Sequence, residues 1–538
     1  MRMTQVFKGA LAATAMTLLL GTSAFAVTLN LHNGPDPRTL DPAKASGTWE
    51  DRPISDMIEG LMTIDTHAQP ILGQAASYDV SDDGLVYTFH LRDDIFWSDG
   101  TPVTAKDFVT GMQRLASPAT ASEYAYLMSF IKGLPEVNSG ENTDLDSIGV
   151  KALDDKTVEY TLSTPTPYFL GALTHYTGFP VPSHKVAEFG EDWSKPGNIV
   201  GNGPYVVTEW VPGSYLKSVK NDKYYDAANV KIDEVMYYIL EDIPAALNRY
   251  RAGEFDILSD FPSDQYEMLQ ANYPGEAHVA PFLGVYYYNM NQSEGSLLAD
   301  MDIRKALSMS VNREVIGPDV LGTGELPAYG WVPPGVASYE GEQYMPDWAA
   351  LPYDEKVAQA KAIMESKGYN AANPLTIRLR YNINDAHQRI AVAISSMWEQ
   401  IGVRTELISA EGGPHYDALE AGDFEMGRAG WIMDYDDASN MLDLLKCGTK
   451  QGDGIQWGNN YGRYCNPKYD DLLKQASTET DLVKRAGYMH EAEKLAMDEF
   501  ANMPIYYYVS NWVVSPKVTG FEDNAADKHL VRYMTKSE

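Results

Sequence analysis

The first 26 residues restrict this chain more than any other stretch. Arg2 and Lys8 stand at the start with no acid nearby, the apolar run Ala10–Leu20 follows, and Ser23-Ala24-Phe25-Ala26 closes the segment. A charged start, a short apolar centre and an Ala-x-Ala end mark a secretory signal peptide, with cleavage expected after Ala26. The run is too short for the roughly 20 residues that span a bilayer, and no later stretch comes near that length without charges. The signal contains no cysteine, so no lipid anchor is expected. The mature chain is expected to be exported, soluble and periplasmic. About 510 residues remain, too many for one core, so two or three domains are expected.

The formal net charge of −33 argues against nucleic acid and anionic membranes as partners. It suits cationic or zwitterionic solutes, and equally it suits mere solubility. The two cysteines, Cys447 and Cys465, most simply form one disulfide in an oxidising compartment. It would close the Gly- and Asn-rich loop Gly448–Tyr464. No histidine lies near either, which argues against zinc.

Gly427–Asp437 reads Gly-Arg-Ala-Gly-Trp-Ile-Met-Asp-Tyr-Asp-Asp. If it is extended, Arg428 and Asp434 share a parity and face one side. A ligand positive at one end and negative at the other, such as a free peptide, needs such a pair. The alternative is an ordinary strand leading into an acidic loop.

Along the chain, Val27–Leu31 reads as a first strand, Ile54–Leu61 as the start of a helix and Met62–Ile64 as a short strand. Ser77–Phe96 has a hairpin pattern with its turn at Asp82-Asp83-Gly84. Thr104 is placed to cap a helix through Phe108 and Met112. Arg304–Asn312, Asp354–Gly368 and His387–Ile401 read as helices. Leu375–Tyr381, Thr405–Ile408 and Phe424–Ile432 read as strands, an alternation typical of open α/β lobes. Two tyrosine triplets, Tyr286-Tyr287-Tyr288 and Tyr506-Tyr507-Tyr508, lie in β-prone runs.

Marks of a hydrolase are missing. There is no Gly-x-Ser-x-Gly elbow and no His-Glu-x-x-His pair; His490-Glu491 lacks the second histidine. Gly201-Asn202-Gly203 precedes Pro204 and opens a strand, so it is no phosphate-binding helix start. With 75 acids in the chain, carboxylate pairs have no diagnostic value. No enzyme, metal or cofactor is expected.

Gly84–Phe108, with Leu91-Arg92, Trp97-Ser98-Asp99-Gly100 and Ala105-Lys106-Asp107-Phe108, resembles the signature of the family 5 extracellular solute-binding proteins, receptors of ABC importers. Gly149–Asp155, Thr166–Phe169, Asn202–Tyr205, Asn248–Asp256 and Leu326–Tyr329 extend the likeness, which is closer to the oligopeptide-binding members than to the dipeptide or nickel ones. The resemblance implies an α/β, two-lobed periplasmic binding protein fold with an extra small domain and a ligand cleft between lobes joined by two crossover strands. It implies lobe I at 27–58, 183–283 and 510–538, the small domain at 59–182, and lobe II at 284–509, after a signal at 1–26. The signature segment itself is expected to be structural.

Carried over residue by residue, the resemblance gives Asp434 the peptide α-ammonium and Arg428 a ligand carboxylate. Gly430, Trp431 and Ile432 match the strand that pairs with the ligand backbone. Thr48, Tyr124, Tyr287 and Tyr508 match cleft positions, and His387 matches a carboxylate partner for longer peptides. There are departures. Cations of the family stand as Leu321 and Leu419, a pocket tryptophan falls near Gly412, and an enteric disulfide corresponds to Gly284 and Ile432. The implied function is capture of short peptides by a monomeric receptor for an ABC permease. A cell-wall (murein) peptide or another amine-bearing solute is the alternative, and an exported hydrolase is the alternative of another class.

Overall fold

The computed structural model describes residues 26–337, 339, 343–451 and 454–537. The expected signal peptide, residues 1–26, lies outside them except for Ala26. Among the described residues no helix is long and apolar enough to cross a membrane.

Two long strands organise the molecule. Ala277–Met290 and Asn502–Val514 run antiparallel through the middle of an eleven-stranded sheet. Their pairing is interrupted twice, between Pro281 and Val285 and between Tyr286 and Tyr287. Each strand therefore serves two half-sheets that need not be coplanar. On one side Val403–Ala410, Leu375–Asn382 and Met426–Ile432 complete the sheet; on the other lie Ile257–Leu258, Thr28–Gly34, Glu234–Ile239, Tyr215–Lys220 and Tyr205–Val211. Both tyrosine triplets sit in the shared strands, with Tyr286 opposite Tyr506.

Each half buries its own core. Leu29, Ile54, Trp193, Tyr205 and Trp512 pack on one half-sheet. The other half is covered on both faces, one by Ile377, Ile390 and Trp398, the other by Trp331, Leu419 and Met489. A third core, around Trp97, Phe108, Tyr160 and Phe169, fills a smaller body built on the antiparallel sheet Ala75–Val80, Val86–Leu91, Thr157–Thr161 and Val150–Asp154. The two-lobed α/β architecture with a small extra body is thus present.

The signature segment is a structural joint. Asp107 accepts from Trp97 Nε1 at 3.3 Å, from the Thr104 backbone N–H at 2.9 Å and, through its other oxygen, from the Ser183 N–H at 3.0 Å. One buried carboxylate thereby ties the turn, the start of helix Ala105–Ala116 and the chain's exit from the small body.

One helix differs from expectation. The segment expected to begin at Ile54 is a helix over Thr48–Met57, and Ile58 is already extended. Pro53 lies inside it and cannot donate to the carbonyl four residues back. Asn33 Nδ2 supplies that bond, donating to the Trp49 carbonyl at 2.9 Å. Buried Glu50 fastens the first turn by accepting from the N–H groups of Arg38, Ser46 and Gly47.

Candidate functional site

Met426–Ile432 pairs along its whole length with the crossing strand, from Met290 opposite Met426 to Gly284 opposite Ile432. Its other neighbour, Leu375–Asn382, reaches only Met426 and Gly427. Beyond Gly427 no strand is paired on that side among the described residues, so the Gly430–Ile432 stretch keeps one edge free. A free edge of this kind accepts an extended peptide as an added strand. Glycine at 430 leaves room for the Tyr508 side chain: a Cβ would stand 2.3 Å from its hydroxyl.

Regular pairing stops at Ile432, so strand parity does not carry to Asp434. The chain instead bends so that Asn440, buried in the short helix Ser439–Leu442, holds the acid. Asn440 Nδ2 donates to Asp434 Oδ2 at 3.2 Å, and Asn440 Oδ1 accepts from the Asp434 N–H at 3.3 Å and from Trp431 Nε1 at 2.7 Å. The Tyr126 hydroxyl reaches the same carboxylate. Burial pushes the Asp434 carboxyl above the usual range, only partly offset by Asn440 and Tyr126.

Three cavities meet at Asp434. The first, about 300 Å³, lies between the two halves of the sheet and takes Thr48, Tyr124, His175 and Ile432 into its wall. The second, about 420 Å³, is aromatic, with Tyr126, Tyr168, Trp431, Tyr435 and Trp457. The third, about 320 Å³, runs between Pro70, Tyr168, Leu283 and Asp436. Asp434 lines all three. Cys447 lines the second, and its bond to Cys465 is formed, at 2.11 Å between the sulfurs.

Arg428 stands apart, in none of these walls. It is buried, and its partners are neutral oxygens: Asn382 Oδ1 at 3.0 Å, the Tyr508 hydroxyl at 2.8 Å and the Tyr416 hydroxyl at 3.4 Å. Its guanidinium lies 4.7 Å over the Tyr286 ring, and its Nε has no hydrogen-bond partner among the described residues. His387 is buried against Tyr286, ring centroids 5.5 Å apart, and its Nδ1 has no hydrogen-bond partner among the described residues. Burial, with Arg428 nearby, pushes its pKa down to about 3, so it is a neutral donor or acceptor at neutral pH. Tyr287 is enclosed against Trp331, centroids 4.6 Å apart, and lines none of the three cavities. Tyr286, not singled out from the sequence, carries the ring beneath Arg428.

The model of the bacterial extracellular solute-binding proteins, family 5, matches residues 69–453. This chain belongs to that family. Among its relatives, the periplasmic oligopeptide-binding protein OppA of Escherichia coli (strain K12) is 36% identical over 498 residues, 92% of this chain and 89% of that one. The probable deoxycholate-binding periplasmic protein YgiS of the same organism is 38% identical over 493 residues, 91% and 90%. A solved structure of the murein tripeptide-binding protein MppA, in its unliganded open form, superposes with a TM-score of 0.83 at 36% identity, covering 95% of this chain and 98% of that one.

As a family 5 protein the chain carries its departures inside packed regions. Leu321 and Leu419 are both buried, in the cores on opposite faces of the sheet. Leu419 packs against the bare face of Gly427, where a Cβ would come within 2.3 Å. Gly412 opens the helix Gly412–Ala421 with open space around it. Asn440 and Tyr126 gave no sequence signal, because each reaches Asp434 through tertiary contact rather than through a motif.

Proposed function

We propose that this chain is a periplasmic receptor that captures short peptides for an ABC-type importer and encloses them between its two lobes. The observation that carries this is Asp434: a half-buried carboxylate, hydrogen-bonded by Asn440, at the meeting point of three cavities. A carboxylate partly withdrawn from water and facing open volume suits a ligand ammonium. The free Gly430–Ile432 edge suits the ligand's backbone, and the roomy cavities suit varied side chains with bridging water. The names of relatives support the ligand class: OppA is an oligopeptide-binding protein and MppA a murein peptide-binding one. Trp431, Ile432, Tyr124 and Thr48 wall the cavities around Asp434. Arg428, Tyr508 and His387 form a second polar cluster for a ligand carboxylate, and Tyr287 backs the strand from the other face.

The lobes are assigned to 27–58, 183–283 and 510–538, and to 284–509, with the small domain at 59–182. The partner is a membrane permease that reads the closed form, the receptor acts as a monomer, and it catalyses nothing. A second reading is a receptor for a murein peptide or another amine-bearing solute. It is favoured by the burial of Leu321 and Leu419, where the resemblance led to cations. Calorimetry with free and N-acetylated tripeptides tests the proposal. Free peptides are expected to bind and acetylated ones to fail; equal binding overturns it. Mass spectrometry of solute retained through native purification separates the two readings.

A further inference from the structure

The first and third cavities share six lining residues: His175, Phe282, Met433, Asp434, Ala526 and Lys528. Asp434 is the only acid among them and Lys528 the only permanent cation. His175 joins them as a neutral imidazole, because burial, with Lys528 nearby, pushes its pKa down to about 3. The two charges do not neutralise each other. Asp434 is hydrogen-bonded by Asn440, with the Tyr126 and Tyr124 hydroxyls nearby, whereas Lys528 pairs with Asp51, Nζ to Oδ2 at 3.4 Å. That ion pair is long, and Asp51 also accepts from Ser55 Oγ at 2.6 Å. An ammonium has three donors, so Lys528 keeps capacity for a further acceptor. The two residues come from opposite sides of the cleft: Lys528 from the C-terminal segment beside Trp512, Asp434 from the end of the strand Met426–Ile432.

We infer that Lys528 is a specificity-determining residue that receives a ligand carboxylate close to the amino end held by Asp434. The preferred ligand is then an amino-terminal zwitterion: a peptide whose ammonium is followed within one or two residues by a carboxylate. The carboxylate belongs either to an acidic side chain or to the terminus of a dipeptide. The inference rests on the reading of Asp434 as the ammonium anchor. It also places the cationic half of the clamp away from Arg428, which lines neither cavity. A ligand bridging Asp434 and Lys528 joins the two halves of the sheet, so its charges favour the closed form.

The test is calorimetry on the full mature chain freed of bound solute, in two arms. One compares Ala-Glu-Ala-amide with Ala-Gln-Ala-amide, which isolates the side-chain carboxylate. The other compares Ala-Ala with Ala-Ala-amide, which isolates the terminus. In at least one arm the acid is expected to bind roughly tenfold or more tightly than its neutral counterpart, as for a charge-assisted contact. Lys528→Met is expected to abolish that preference and Lys528→Arg to retain it. Both arms flat in the wild type, or a preference unchanged in Lys528→Met, overturns the inference. An N-acetylated peptide tells the two failures apart. If acetylation is harmless, the anchor reading falls. If acetylation destroys binding while acid and amide remain equal, only the role of Lys528 falls.

Discussion

Asn440 holds Asp434 and Trp431 at once, donating to the carboxylate at 3.2 Å while accepting from the indole at 2.7 Å. The acid's position is thus tied to the aromatic wall of the neighbouring cavity. Asp434→Ala is expected to weaken peptide binding by about 2–5 kcal/mol, as when one partner of a buried charge pair is truncated. Asn440→Ala removes only the support and is expected to cost about 1 kcal/mol of affinity. Calorimetry reads both, and unchanged affinity in Asp434→Ala would sink the assignment. Burial raises the Asp434 carboxyl, so affinity is expected to fall first on the acid side, as the free anchor takes a proton.

The unliganded protein should also carry a pH signature of its own. Asp56 is buried beneath the first cavity, accepting from the Tyr237 hydroxyl at 2.6 Å and from the Val531 N–H at 3.0 Å. Burial outweighs these bonds and pushes its pKa up to about 7. Unfolded, it titrates near about 4. Between these values Asp56 holds more proton in the folded chain than in the unfolded one, so its contribution to stability declines as pH rises. That contribution is fully present below about pH 4 and lost through about pH 7. His175 and His387, pushed down to about 3, act in the opposite sense, so the readout is the difference between the wild type and Asp56→Asn. In urea titrations the stability of the wild type relative to Asp56→Asn is expected to fall by on the order of 3 kcal/mol between pH 5 and pH 8, and a difference that stays constant over this interval contradicts it.

How far the sequence could be read depended on whether a signal was local. The Trp97–Phe108 segment, the alternation of helices and strands from Tyr353 to Ile432 and the two tyrosine triplets are written in neighbouring residues, and the fold follows from them. The disulfide followed from there being only two cysteines. What escaped depends on residues far apart in the chain. Asn33, twenty residues before Pro53, rescues a helix that a proline should have cut. Lys528 and Tyr126 reach the same cleft as Asp434 from opposite ends of the sequence, in segments with no periodic pattern. Parity placed Arg428 and Asp434 on one face, but the strand ends at Ile432 and Asn440 fixes where the acid goes.

Gly430 and Tyr508 are expected to be energetically coupled. A methyl at 430 meets the Tyr508 hydroxyl at 2.3 Å and Arg428 Nη2 at 3.2 Å, so it must displace the hydrogen bond between them. Gly430→Ala is expected to destabilise by about 1–3 kcal/mol, the usual cost of overpacking. Tyr508→Phe removes the obstructing oxygen, so the double variant should cost less than the sum of the two single changes. Strict additivity in denaturant titrations would show that the close approach does not govern this site.

The Cys447–Cys465 bond closes a loop that supplies Thr449, Gln456, Trp457 and Asn459 to the second cavity. A crosslink over a loop of this size is worth about 3 kcal/mol in the chain-entropy model. The Cys447→Ser/Cys465→Ser variant should therefore unfold at lower denaturant. It should also lose more affinity for peptides with bulky aromatic side chains than for trialanine, because the loop forms one wall of the aromatic cavity. An equal loss for both ligands would make the loop structural only.

The burial of Leu321 and Leu419 bears on ligand length. Binding is expected to weaken as peptides grow beyond four residues, since no cation at those positions can follow a carboxylate moving away from Asp434. Restoring charge should not restore length tolerance. Leu419 lies in a closed core against Gly427, so Leu419→Arg buries an unpaired guanidinium and is expected to destabilise by about 3 kcal/mol or more. Titrations with alanine peptides of two to six residues, on the wild type and on Leu419→Arg, separate two outcomes. Falling affinity with length, together with a destabilised variant, means that the carboxyl end of the site has been rebuilt as core. A flat length profile means that Arg428 and its tyrosines accept the carboxylate wherever it falls.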